Sequence, residues 1–239
     1  VDRVYSVEEQ QISCPDAERG FFSKLFCNLC GPPRLKADLA AQRNLFLQIA
    51  RVSFEPGNTV HQRMVMTLYK RLLGDAEFPP PIGSHWENIG FQGSDPATDL
   101  RSGLGMAALL QLLYLSLRHR SLALSMLQLS QDDRTMFLFA CVGINLTGFC
   151  LQGLRTGKLN RLCNTVGNVI EAVCEFYCAA YFDFYLQWKR EQRHYSHCGA
   201  VLKEVQERVL SGVQRTMEQY ERGLEARMGP STEGLEPLD

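Results

Sequence analysis

Residues 84–105 read Ser84-His85-Trp86-Glu87-Asn88-Ile89-Gly90-Phe91-Gln92-Gly93-Ser94-Asp95-Pro96-Ala97-Thr98-Asp99-Leu100-Arg101-Ser102-Gly103-Leu104-Gly105, and the apolar run Met106–Leu117 follows at once. Glycines at 90, 93, 103 and 105 open backbone angles closed to other residues. Pro96 fixes its own φ and pushes Asp95 toward an extended conformation. These residues predict an ordered, irregular loop over Gly90–Thr98, neither helix nor strand. Trp86, Ile89 and Phe91 are apolar and are expected to anchor that loop to a core. Gln92, Asp95, Thr98, Asp99 and Arg101 are left as polar groups at its rim. Binding groups concentrate on loops held by rigid scaffolds.

Outward from the loop, helical spacing dominates. Lys36–Val52 carries Leu39, Leu45, Phe46, Ile49 and Val52 on one face, and Pro56-Gly57 ends it. Asn58 or Thr59 is placed to cap a helix over Val60–Leu73, which Gly74 stops. Pro79-Pro80-Pro81 is a stiff spacer into the loop. Leu104–Leu117, apolar all round, is expected to be a central buried helix. A short helix over Leu122–Leu129 follows. Asp132 or Asp133 is expected to cap Met136–Leu154, with Gly157 closing it. Val166–Gln192 is expected to bury Val169, Val173, Phe176, Ala180 and Phe184. Asp183 in that run is expected at the helix surface or paired with a base such as Lys189. Val201–Ala226, with Val201, Val205, Val209 and Val213 spaced by four, is expected to lie on the bundle surface. No alternating strand pattern and no internal repeat are visible, so the fold class is all-α, a single multi-helix domain. The expected boundaries are an N-terminal arm over 1–34, the helical domain over 35–228 and a disordered tail over 229–239.

Composition agrees. The chain has 239 residues, 45% hydrophobic and 21% charged, enough apolar surface for a sizeable core. A net charge of −1 gives no reason to expect binding to nucleic acid or anionic membrane through bulk charge. Met136–Leu151 is interrupted by Gly143, Asn145, Thr147 and Gly148 and reads as a buried helix rather than a membrane span. Val1–Glu18 lacks the apolar centre of a signal peptide. Nine cysteines without disulfide-framework spacing favour reduced thiols in the cytosol. Cys27-x-x-Cys30 has half a zinc site's spacing and no second close pair, so no metal is expected. The apolar patch Phe21–Cys30 reads as an arm packing on the domain; a membrane-associating patch is the other reading.

No nucleophile elbow, phosphate-binding loop or zinc-protease motif is present, so an active site of the chain's own is not expected. Arg101 differs, because a partner can complete its chemistry. Taken alone, a loop arginine beside Asp95 and Asp99 ordinarily pairs with one of them and fixes the loop.

Trp86, Ile89-Gly90-Phe91-Gln92-Gly93, Asp95-Pro96 and Thr98-Asp99-Leu100-Arg101 together resemble the signature of the ELMO domain. Arg51–Gly74 resembles one stand-alone branch of that family. The resemblance covers roughly residues 35–225. It implies an all-helical ELMO domain acting as a GTPase-activating protein (GAP) for Arf-family small GTPases, Arf-like members included. The GAP arginine of the stand-alone type follows Thr-Asp-Phe, and Arg101 follows Thr98-Asp99-Leu100. The larger ELMO scaffolds, which partner a Rac exchange factor, lack that arginine and carry armadillo-like repeats and a PH domain absent here. By this resemblance Arg101 is the catalytic arginine finger, supplied in trans. Gln92, Asp95, Thr98 and Asp99 shape or contact the interface, Asp99 orienting Arg101. Trp86, Ile89, Gly90, Phe91, Gly93 and Pro96 hold the loop. The GTP-bound partner brings Mg²⁺, nucleotide and water, so no cofactor is expected. A cytoplasmic setting at membranes or cytoskeleton is implied. Two departures stand out: Leu100 replaces the usual Phe, and Ser102 is an extra residue before Gly103-Leu104-Gly105. One extra helical residue turns a side chain by about 100°. The alternative this leaves open is a non-catalytic ELMO-domain adaptor using the same face.

Overall fold

Among the described residues the chain forms ten α-helices, and the apolar segment that follows the loop is the central one. The computed structural model describes residues 33–74, 79–101 and 103–228, and no strand occurs among them. The helices are α1 (Ala40–Ile49), α2 (Thr59–Leu73), α3 (Pro96–Asp99), α4 (Gly105–Arg118), α5 (Arg120–Ser130), α6 (Phe139–Arg155), α7 (Asn160–Val166), α8 (Val169–Glu191), α9 (Cys198–Ser211) and α10 (Val213–Met228). Short 3₁₀ turns sit at Ala37–Leu39, Ser84–Ile89 and Tyr195–His197. Helix α4 is central as expected, packed on α2, α5, α6 and α8. Its Leu109, Leu112 and Leu115 are fully buried. Asn58 caps α2, its Oδ1 accepting the Val60 N–H at 2.9 Å. Gly74, at φ 92°, ends that helix.

The long helix α8 is the second axis and contacts α1, α4, α6, α7, α9 and α10. Val169, Val173, Phe176, Ala180 and Phe184 are all buried, as the spacing predicts. Tyr177, Tyr181 and Trp188 join them. Burying each large side chain contributes about 1.5–3 kcal/mol, so α8 supplies much of the hydrophobic driving force.

Several expectations need correction. Pro96–Asp99 is a helical turn, not irregular loop, because Asp95 caps it and Pro96 occupies its first position. Asp132 does not cap α6. Its Oδ1 accepts the Arg134 N–H at 2.9 Å inside a separate turn, and α6 begins only at Phe139. Helix α7 was not anticipated. The run Val201–Ala226 is two helices broken at Gly212, with Val201, Val205 and Val209 facing the core and the charged residues between them largely exposed.

Asp183 is paired with a base, as one of the two expectations has it, but the base is Arg208 rather than Lys189. It is 7% exposed and accepts from Arg208 Nε at 3.0 Å, while Arg208 Nη2 also donates to Gln187 Oε1 at 2.7 Å. This pair ties α8 to α9. Removing one partner of a buried pair costs about 3–5 kcal/mol, and less when one side is partly solvated as Arg208 is. Arg208→Met is therefore expected to lower stability by about 2–3 kcal/mol, read as a lower urea midpoint. An unchanged midpoint would show that water replaces Arg208 at no cost.

The free cysteines Cys141, Cys150, Cys163, Cys174, Cys178 and Cys198 are all buried. No described helix is long and apolar enough to cross a membrane. The Phe21–Cys30 patch and the 229–239 tail lie outside the described residues, as does nearly all of the expected 1–34 arm.

Candidate functional site

The loop is anchored first by its aromatics. Trp86 is fully buried, edge-on to Tyr69 at 5.3 Å and to Phe91 at 6.1 Å, and its indole N–H donates to the Pro81 carbonyl at 3.1 Å. The proline spacer thereby becomes an acceptor that satisfies a buried indole. Ile89, Phe91 and Leu100 are also fully buried. His85 packs edge-on against Tyr69.

Gly90 follows with φ 79° and presses against the start of α6, where an added Cβ would lie 2.1 Å from the Phe139 nitrogen. Its carbonyl accepts the Cys141 N–H at 3.1 Å. At Gly93 an added Cβ would meet nothing, so packing gives no reason for glycine there.

The polar residues mostly bond one another. Asp95 Oδ1 accepts the Ala97 N–H at 2.9 Å, and Thr98 Oγ1 donates to the Asp95 carbonyl at 2.8 Å. Asp99 Oδ2 accepts the Gln92 N–H at 2.8 Å and the Cys141 thiol at 3.8 Å. Burial holds the Asp99 carboxyl above its ordinary pKa, with the Gln92 N–H pulling the other way. Gln92 and Thr98 are exposed, Asp95 and Asp99 half-buried.

A group whose folded pKa lies above its unfolded one weakens the fold as pH rises through that interval. Asp99→Asn keeps an acceptor for Gln92 and removes the desolvated charge. It is expected to leave thermal stability at pH 7 essentially unchanged. Asp99→Ala, which strips the acceptor, is expected to cost about 1 kcal/mol. A destabilisation by Asn equal to that by Ala would mean the charge itself holds the loop.

Arg101 is exposed, and its guanidinium forms no ion pair among the described residues. Asp95 and Asp99 are thus occupied as a cap and a loop tie. The backbone before Arg101 is fixed: the Leu100 carbonyl accepts the Phe54 N–H at 3.4 Å. A Cβ on Gly105 would strike that carbonyl at 2.2 Å and the Val52 carbonyl at 3.0 Å, so only glycine lets α4 start so close. A small apolar groove of ≈ 70 Å³ adjoins the loop, lined by Phe54, Pro56, Val65, Met66, Trp86 and Pro96 among others.

Cys141, Val52 and Phe54 take part in this framework, a role that the sequence does not show for any of them. A cysteine within an apolar helical run carries no local sign that it contacts a loop 42 positions earlier. Among the described residues no cluster of side chains suited to a metal is present.

The family model described as ELMO/CED-12 family matches residues 44–202. ELMO domain-containing protein 3 of Mus musculus is 34% identical over 238 residues, covering 94% of this chain and 62% of that protein. Its Homo sapiens counterpart is 37% identical over 194 residues, covering 80% of this chain and 51% of that protein. ELMO domain-containing protein 2 of Mus musculus is 32% identical over 147 residues, covering 60% of this chain and 50% of that protein. The chain thus spans between half and about three-fifths of the length of these relatives.

Proposed function

As the chain belongs to the ELMO/CED-12 family, we propose that it is a GTPase-activating protein for an Arf-family small GTPase, with Arg101 entering the partner's nucleotide site in trans. One observation carries this reading: Arg101 is exposed at the end of a loop anchored by the buried side chains of Trp86, Ile89, Phe91 and Leu100, and its guanidinium forms no ion pair among the described residues. Such an arginine meets a partner without first breaking an internal salt bridge.

GTP hydrolysis spreads negative charge over the transferred phosphoryl group, and a guanidinium inserted from outside stabilises it. Arginine suits this task because it stays charged and presents its donors in a plane. Mg²⁺, nucleotide and the attacking water belong to the partner. Gln92 and Thr98, exposed on the same loop, are the nearby groups placed to contact the GTPase. Asp99 acts from beneath, holding the loop rather than touching the partner.

The test is single-turnover GTP hydrolysis by a panel of Arf and Arf-like proteins, with and without this chain. At least one member is expected to be stimulated. The second reading, a non-catalytic adaptor on the same face, is favoured by Ser102, the extra residue after the arginine. An adaptor would retain GTP-locked partners in a pull-down while leaving their hydrolysis rates unchanged across the panel.

A further inference from the structure

Cys141 touches the arginine loop at both of its ends. Its backbone N–H donates to the Gly90 carbonyl at 3.1 Å, where the loop begins. Its thiol donates to Asp99 Oδ2 at 3.8 Å, two residues before Arg101. The same oxygen takes the Gln92 N–H at 2.8 Å. One residue in the first turn of α6 thus closes Gly90–Asp99 into a ring, and α6 is rigidly packed, with Ala140, Val142 and Ile144 buried.

A thiol holds this clasp only while it keeps its proton. Cys141 is 3% exposed, and burial together with the Asp99 carboxylate drives its pKa far above that of a free cysteine. It is therefore a donor at any physiological pH and a poor nucleophile. Of the groups facing it, Asp99 is the acceptor.

We propose that Cys141 is a positioning residue for Arg101, fixing the loop through Asp99 so that the guanidinium is presented in one place. The inference rests on the activator reading above and adds to it a residue that never meets the GTPase. Misplacing a reacting group by about 1 Å costs up to about 10²-fold in rate. A thiol bond is weaker than most, so about tenfold is expected.

The experiment compares wild type, Cys141→Ala and Cys141→Ser in two ways. The first readout is hydrogen exchange at the Gln92 amide, which needs no partner. The second is the maximal hydrolysis rate and the half-saturating activator concentration, using the Arf-family GTPase that wild type stimulates. Cys141→Ala is expected to speed Gln92 exchange at least severalfold. It is expected to lower the maximal rate about tenfold at unchanged half-saturation, with Cys141→Ser, which keeps a donor, restoring most of both. Unchanged Gln92 exchange in Cys141→Ala overturns the clasp. Faster exchange with an unchanged maximal rate overturns the positioning role. A wild type that stimulates no GTPase sinks the activator reading, and with it the catalytic half of this proposal. The exchange result then decides the clasp alone.

Discussion

Gly90→Ala is expected to lower the unfolding free energy by about 3–5 kcal/mol, the largest loss from any single added methyl group in the loop. Two independent penalties combine. The left-handed conformation, φ 79°, costs a residue with a Cβ about 1–2 kcal/mol. The new carbon would also lie 2.1 Å from the Phe139 nitrogen, a backbone atom that no rotamer change can move. Relief requires lifting the loop from α6, which breaks the Cys141–Gly90 hydrogen bond. At about 2–4 °C per kcal/mol for a chain of this size, the melting temperature should fall by about 10 °C. Gly93→Ala, where the added carbon meets nothing, is the control and should change little. Equal stability of the two variants would mean that the loop does not sit against α6 as described.

The second large effect is kinetic. Arg101→Ala is expected to leave the melting temperature unchanged, since the side chain is exposed and unpaired among the described residues. Stimulated hydrolysis should nonetheless fall almost to the intrinsic rate. An arginine supplied in trans is worth roughly 10³–10⁵ in rate. At about 1.4 kcal/mol per decade this is on the order of 4–7 kcal/mol of transition-state stabilisation. The loss should fall on the maximal rate rather than on affinity, because the charge it neutralises develops only in the transition state. A variant that loses binding and hydrolysis together in proportion would assign Arg101 to docking instead.

The fold was legible where a periodic apolar face coincides with a local stop signal. Asn58 and Gly74 bracket α2, and the three- and four-residue spacing of Val169, Val173, Phe176, Ala180 and Phe184 marks the buried face of α8. It was not legible where periodicity runs on through a break. The valines at 201, 205, 209 and 213 keep their spacing across Gly212, so two helices read as one. Nor does local pattern show which charges meet across the bundle. Asp183 and Arg208 lie 25 positions apart on different helices, and Lys189 was simply the nearer base. Asp95-Pro96 did carry a helix-start signal, a capping carboxylate before a proline, but the surrounding glycines outweighed it.

The site divides the same way. The anchoring roles of Trp86, Ile89 and Phe91 follow from apolar residues inside a glycine-rich segment, and the structure buries all three. That Asp99 turns inward, leaving Arg101 to solvent, depends on Cys141 and the Gln92 N–H. Both are tertiary facts that no spacing encodes. The proposal that Arg101 is an arginine finger rests on the likeness of Thr98-Asp99-Leu100-Arg101 to a family motif, and exposure of the side chain is compatible with it.

The most direct test of the arginine finger is single-turnover GTP hydrolysis by a responsive Arf-family protein, measured with wild type and Arg101→Lys side by side at saturating activator. Lysine keeps the charge but loses the planar fork of donors. The account predicts a fall of at least 10²-fold in the stimulated rate with folding and binding intact. Equal stimulation by the two proteins would contradict it and leave the chain as a helical binding platform.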